Sequence, residues 1–101
     1  MTDPLVVNDS AAGRYRLRLG GDDVGYLEYD PIGTSALLLK HTEIASGHEG
    51  KGFGSKLVRA ALDDIRRQNL LIVPVCPYVL NFIRRNREYV DLVRAELRST
   101  L

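Results

Sequence analysis

Two side chains capable of acid–base chemistry, His41 and Glu43, lie two residues apart near the end of an apolar segment. Regular strand alternation would place Leu37, Leu39, His41, Glu43 and Ala45 on one face, provided that no bulge interrupts the strand. An imidazole beside a carboxylate is a candidate pair for general acid–base catalysis. The alternative is that both residues lie at a solvent-exposed strand end and have no catalytic role.

A glycine-rich segment, Gly47-His48-Glu49-Gly50-Lys51-Gly52-Phe53-Gly54-Ser55-Lys56, follows this strand. Glycine lets a ligand approach the main chain closely, and a loop that opens a helix aims several N–H groups at one point. The sequence therefore predicts a phosphate or pyrophosphate site. The alternative is a tight strand-to-helix turn that binds nothing. A P-loop is excluded because Gly52 follows Lys51, and the dinucleotide fingerprint because the third glycine comes one residue early.

Cys76 is the single cysteine and directly precedes Pro77, which suits the first position of a helix. A helix N-terminus favours the reactive thiolate form of cysteine, so Cys76 is a candidate nucleophile. A small buried apolar residue is the other explanation. The sequence contains no cluster of cysteine and histidine that would indicate a metal site.

The composition predicts one domain over residues 1–101, since the chain is 45% hydrophobic and 27% charged. A net charge of +1 gives no indication of a nucleic-acid or membrane partner. One cysteine excludes an internal disulfide, and no apolar stretch approaches membrane-spanning length. We therefore expect a cytoplasmic protein, and the oligomeric state stays open.

The predicted elements form an α/β (α+β) fold that positions these residues. An antiparallel β-meander is predicted from strands at 14–19, 24–29 and 34–45, with a possible edge strand at 5–7 and turns at 20–23 and 30–33. One apolar stripe predicts a helix after the glycine loop: Phe53, Leu57, Val58, Ala61, Leu62 and Ile65. Residues 70–73 predict a strand buried on both faces and parallel to the third strand. Two further helices are predicted, one from Pro77 and one over residues 89–97.

These motifs resemble the GNAT acetyltransferase superfamily, and most closely its small single-domain branch. The likeness rests on the His41-Thr42-Glu43 strand, the Gly50-Lys51-Gly52-Phe53-Gly54 loop, the Cys76-Pro77-Tyr78 turn and Glu88-Tyr89. It extends over about residues 14–93. The resemblance implies a reduced GNAT fold and an N-acetyltransferase that uses acetyl-CoA. The acceptor would be an unidentified amine on a small molecule or a protein. A non-catalytic CoA-binding or protein-interaction module is the alternative.

The resemblance also implies a role for individual residues. The pyrophosphate of acetyl-CoA would lie on the loop and the first turn of the helix, formed by Gly50, Lys51, Gly52, Phe53, Gly54, Ser55 and Lys56. The pantetheine arm would pass Ile44 and Ala45, and Cys76 and Asn81 would border the thioester. Glu43 would take the proton of the amine, with His41 as the other candidate base. Glu49 occupies a position where the superfamily usually has Arg or Gln, and Tyr89 receives no role.

Overall fold

The computed structural model describes residues 3–101, which form a five-stranded sheet in the order β1-β2-β3-β4-β5. The strands are β1 (Leu5–Asp9), β2 (Arg14–Leu19), β3 (Asp22–Ile32), β4 (Ala36–Ile44) and β5 (Leu71–Pro74). The first four strands pair antiparallel, and β5 pairs parallel to β4. The predicted meander, edge strand and parallel crossover are therefore confirmed.

Two α-helices follow β4 and β5, namely α1 (Phe53–Arg67) and α2 (Pro77–Arg85). Two 3₁₀ helices, Arg87–Leu92 and Ala95–Thr100, form the C-terminal part of the described chain. Helix α1 begins after Gly52 and is followed by Asn69, whose φ of 57° ends the helix. Pro77 occupies the first turn of α2, as its fixed φ predicts.

The core lies between one face of the sheet and α1, and α2 and the segment after it add buried residues to the same cluster. The helix contributes Leu57, Val58, Ala61, Leu62 and Ile65, each 0% exposed. The sheet contributes residues at alternate positions of its strands, among them Tyr15, Leu17, Leu27 and Leu39. Replacing Leu57 by Ala would cost about 2–5 kcal/mol because the cavity would lie wholly inside the core. The opposite face of the sheet carries charged and polar side chains, and we call it the open face.

A β-bulge at Lys40 decides which face carries the candidate acid–base pair. Glu28 pairs with His41 while Tyr29 pairs with Leu39, so Lys40 is the extra residue of β4. Leu39 is 0% exposed in the core, whereas His41 and Glu43 lie on the open face. The expectation that Leu39 shares a face with His41 and Glu43 is wrong, because one inserted residue reverses the alternation.

Several sequence-based boundaries also differ from the structure. Strand β3 runs on to Ile32 and includes residues 30–32 of the turn predicted at 30–33, so the turn lies at residues 33–35 and β4 begins at Ala36. Leu71 is 37% exposed, so β5 is not buried on both faces. On the exposed side of α1, Asp63 accepts a hydrogen bond from Tyr89 and Arg67 pairs with Asp64. The predicted last helix is two 3₁₀ turns.

Within residues 3–101, none of the helices combines the length and the apolar character that a membrane span requires.

Candidate active site

Residues 50–55 of the glycine loop leave their main-chain N–H groups without an acceptor in the described part of the chain. Gly50 and Gly52 have φ values of 75° and 79°, the left-handed region that glycine reaches without strain. No side chain caps α1, and Lys56 provides the first hydrogen bond to Gly52. Among residues 3–101, no protein oxygen accepts a hydrogen bond from the N–H groups of residues 50–55. These groups and the positive end of the helix dipole are therefore available to an anion.

A cleft of about 220 Å³ opens directly onto this loop. Its lining combines the loop with side chains from β4, α1 and α2: Ile44, His48, Glu49, Gly50, Gly52, Phe53, Gly54 and Tyr78. Tyr78 lies across Gly54 so closely that a Cβ added there would overlap its ring and hydroxyl. The His48 ring lies 6.1 Å from the Phe53 ring, and the buried Nδ1 of His48 has no partner among the described residues.

Strands β4 and β5 separate before β4 ends. Their parallel pairing ends at Leu39 and Pro74. The N–H groups of Val75 and Cys76 then both donate to the Leu39 carbonyl, at 3.1 Å each. Beyond this point β4 continues to Ile44 without β5 beside it. The gap is crossed by a contact of 3.4 Å between Thr42 Oγ1 and Cys76 Sγ.

On the open face, His41 and Glu43 form one hydrogen-bonded unit with Tyr26. His41 Nε2 lies 3.1 Å from Glu43 Oε2, and the Tyr26 hydroxyl donates to the same oxygen at 3.0 Å. The bonds from His41 and from Tyr26 hold the pKa of the Glu43 carboxyl below its ordinary value. The carboxylate is therefore ionised at neutral pH, and the side chains of His41 and Glu43 are 55% and 57% exposed.

A second cleft, of about 370 Å³, lies against this unit. Its charged lining is formed by Glu43, Glu49, Asp23 and Arg16, and Arg16 already pairs with Asp9 and Asp23. Ile44 and Glu49 line both clefts, so the two hollows meet at the end of β4. A molecule on the glycine loop and a molecule beside Glu43 would therefore be neighbours.

The sequence profile of the GCN5-related N-acetyltransferase family matches residues 14–92. The chain belongs to this family. Among curated relatives, the bovine protein NATD1 is 30% identical over 82 residues, which cover 80% of this chain and 73% of NATD1. The human and mouse NATD1 proteins are each 29% identical over the same length.

Solved structures have the same fold. A GCN5-like protein from Staphylococcus aureus superposes with a TM-score of 0.69 and 18% identity, covering 93% of this chain and 91% of its own. A ribosomal-protein-alanine N-acetyltransferase from Brucella melitensis biovar Abortus 2308 gives 0.53 and 20%, covering 81% and 61%. At these identities the likeness shows the GNAT fold and no particular activity.

Within this GNAT fold, the predicted cofactor residues fall into separate groups. Ile44, Phe53 and the three loop glycines line the loop cleft, and Ala45 lines the second cleft. The side chains of Ser55 and Lys56 line a different hollow of about 360 Å³ on α1. Asn81 lies on α2 in a hollow of about 400 Å³ whose other lining residues are Tyr78, Arg84 and Arg85. Tyr78 connects that hollow with the loop cleft.

Cys76 lies in a buried position of this fold. The residue is 3% exposed and occupies the N-cap position of α2 without a side-chain capping bond, and its sulfur contacts Thr42. A thiol that attacks a thioester must reach it, so the present packing favours the structural explanation of Cys76 over the nucleophile.

Tyr89 connects the C-terminal segment of this GNAT chain to α1. Its hydroxyl donates to Asp63 at 2.7 Å and accepts from Arg59 at 3.2 Å, and the residue is 4% exposed. Arg59 further pairs with Glu88 and donates to Asn86, so its charge is engaged in joining α1 to the C-terminal segment. These contacts explain both residues without a cofactor.

Sequence reasoning missed Tyr26 and Tyr78 as members of the site. Tyr26 faces Glu43 across β3 and β4, and that register was readable only if the bulge at Lys40 was known. Tyr78 belongs to the Cys76-Pro77-Tyr78 turn, yet only the fold brings it onto Gly54.

Proposed function

We propose that this protein is an N-acetyltransferase that binds acetyl-CoA on the glycine loop and transfers the acetyl group to an amine. The observation that carries the proposal is the set of main-chain N–H groups at residues 50–55 that have no acceptor among residues 3–101, in a loop that lines a cleft at the end of β4. Membership of the GNAT family supports the same chemistry.

The residues of the loop cleft fit such a cofactor. The N–H groups of residues 50–55 would hold the diphosphate, with the dipole of the fifteen-residue helix α1 behind them. His48 lines the same cleft, and its buried Nδ1, which has no partner among residues 3–101, could form a hydrogen bond with a ligand there. Lys51 is exposed and forms no ion pair within the described chain, so its charge is available to a phosphate.

Acetyl-CoA supplies, when bound, a thioester carbonyl that an amine can attack. The second cleft would hold the amine, because its carboxylates Glu43, Glu49 and Asp23 outnumber the single cation Arg16. Glu43 is ionised at neutral pH and would accept a hydrogen bond from the amine or from an intervening water. A carboxylate with a lowered pKa is a weak base, so the proton would pass on to water or to His41.

His41 is the other candidate base. Glu43 Oε2 is an acceptor when ionised, so Nε2 of His41 donates to it. Nδ1 of His41 then carries the free lone pair and can accept a proton. This arrangement follows the general pattern of a base oriented by a neighbouring carboxylate.

Turnover of acetyl-CoA with a panel of amines, followed through release of free CoA, tests the proposal. Glu43→Gln should lower kcat/KM by about 100-fold, the smaller end of the effect expected for a general base. Asp30→Asn is the matched control, since Asp30 is another exposed carboxylate of β3 that pairs with Lys40 and lines neither cleft. Full activity in both Glu43→Gln and His41→Ala would remove these two residues from the mechanism.

A CoA-binding module without turnover is the second candidate function. The exposure of His41 and Glu43 favours it, because both side chains are more than half exposed and water is not excluded from them. This alternative expects a thermal shift with CoA but no acetyl transfer to any amine in the panel. For either function we propose a cytoplasmic location, which cell fractionation tests.

A further inference from the structure

Tyr26 lies outside the hydrophobic core and makes its contacts on the open face of the sheet. Its ring lies on the open face of β3 opposite Glu43, in register with β4. The hydroxyl donates to Glu43 Oε2 at 3.0 Å. The guanidinium of Arg14 lies over the ring, 4.0 Å from its centroid, and also bonds Glu28 at 3.1 Å.

Both hydrogen bonds to the Glu43 carboxylate reach the same oxygen. His41 Nε2 and the Tyr26 hydroxyl approach Oε2, at 3.1 Å and 3.0 Å. Among residues 3–101, Oε1 of Glu43 has no hydrogen-bond partner. Two donors from different strands fix the rotation of an otherwise exposed carboxylate, and they leave Oε1 directed to other partners.

We propose that Tyr26 is a positioning residue, which holds the Glu43 carboxylate so that Oε1 receives the amine of the acceptor in the second cleft. Tyr26 lines that cleft together with Glu43, Ile44 and Ala45. Arg14 keeps the Tyr26 ring in place by stacking on it, while Glu28 holds Arg14. The inference rests on the proposed acetyl transfer and adds the residue that orients its acceptor.

The charged surroundings of Glu43 come from three strands and one loop. Besides Tyr26, the titratable and charged groups around it and its cleft are Arg14 and Arg16 of β2, Asp23 and Glu28 of β3, His41 of β4 and Glu49 of the loop. Tyr26 is the donor among them that bonds Glu43 from β3. Its loss should therefore be visible at Glu43 itself.

The test uses Tyr26→Phe, which keeps the ring beneath Arg14 and removes only the hydroxyl. The matched control is Tyr29→Phe. The Tyr29 hydroxyl donates to Asn8 Oδ1 at a distance of 2.6 Å, and Tyr29 does not lie on the open face. The first measurement is an NMR pH titration of the Glu43 side-chain carboxyl carbon without any ligand. The pKa of Glu43 should rise toward its ordinary value in Tyr26→Phe and stay unchanged in Tyr29→Phe.

The second measurement is acetyl transfer. Tyr26→Phe should lower kcat/KM for the amine by about tenfold, the size expected for one lost hydrogen bond to a charged group, with KM for acetyl-CoA unchanged. An unaltered Glu43 titration in Tyr26→Phe overturns the inference while the proposed function stands. Absence of turnover by the wild-type protein overturns the function and this role of Tyr26 together.

Discussion

Gly52 and Gly33 form a matched pair for testing whether the glycine loop binds a cofactor. Both residues have positive φ, 79° and 59°, and a Cβ added to either would meet no atom within 4 Å. An alanine at either position therefore bears mainly the cost of the left-handed conformation, about 1–2 kcal/mol. Reduced freedom of the unfolded chain returns about 0.4–1 kcal/mol. The free energy of unfolding should fall by about 1 kcal/mol in each variant.

The two variants should differ in CoA binding alone. Gly33 lies in the turn between β3 and β4, whereas Gly52 is the residue from which α1 begins. Thermal unfolding should give similar losses of Tm, on the order of 4–8 °C. Calorimetric titration with CoA should give wild-type affinity for Gly33→Ala and at least about tenfold weaker binding, about 1.4 kcal/mol, for Gly52→Ala.

Gly52→Asp separates conformation from charge. Asp tolerates the left-handed region better than Ala, so this variant should be at least as stable as Gly52→Ala. Its carboxylate would face the diphosphate, so CoA binding should be weaker still. If CoA binds Gly52→Ala, Gly52→Asp and Gly33→Ala equally well, the loop does not hold the cofactor and the reasoning is refuted.

Three further predictions concern the charge, the thiol and the buried phenol. Glu49→Gln should tighten CoA binding by about two- to fivefold at low salt, because an exposed like charge near the diphosphate is removed; calorimetry at two salt concentrations checks this, and equal affinities would contradict it. Cys76→Ser should keep acetyl transfer within about threefold, and the native thiol should react far more slowly with a thiol reagent than the unfolded one, since Cys76 is 3% exposed; an acetyl group on Cys76 after rapid quenching would contradict this. Burial and the bond to Asp64 raise the pKa of Tyr15 above its ordinary value. The contribution of Tyr15 to the free energy of unfolding is therefore fully present below about pH 10 and is lost as the pH rises beyond it. Tm measured between pH 8 and 11 should show that loss, and a Tm independent of pH over this range would contradict it.

The sequence predicted those elements whose signal is local. Helix α1 was readable from its apolar stripe, since Leu57, Val58, Ala61 and Leu62 recur at helical spacing and all are buried. Pro77 indicated the start of α2, because the fixed φ of its ring suits the first turn of a helix. The family followed from the motifs, and the profile match and the fold confirm it.

The parts that sequence could not predict depend on contacts between distant segments. Lys40 carries no local sign of a bulge, because the register of β4 is set by pairing with β3. The same pairing brings Tyr26 to Glu43, and the crossover through α1 and β5 brings Tyr78 to Gly54. The individual roles of the site residues remain predictions for the experiments above.

The most direct test of the account is an NMR titration of the ¹⁵N-labelled protein with CoA. We predict that the amide signals of residues 50–55, together with those of Ile44 and Ala45, shift progressively and saturate. The amides of the turn at Gly33 should stay in place. Saturable binding that moves other amides but leaves residues 50–55 unchanged, or no binding at millimolar CoA, would contradict the claim that these main-chain N–H groups hold a diphosphate.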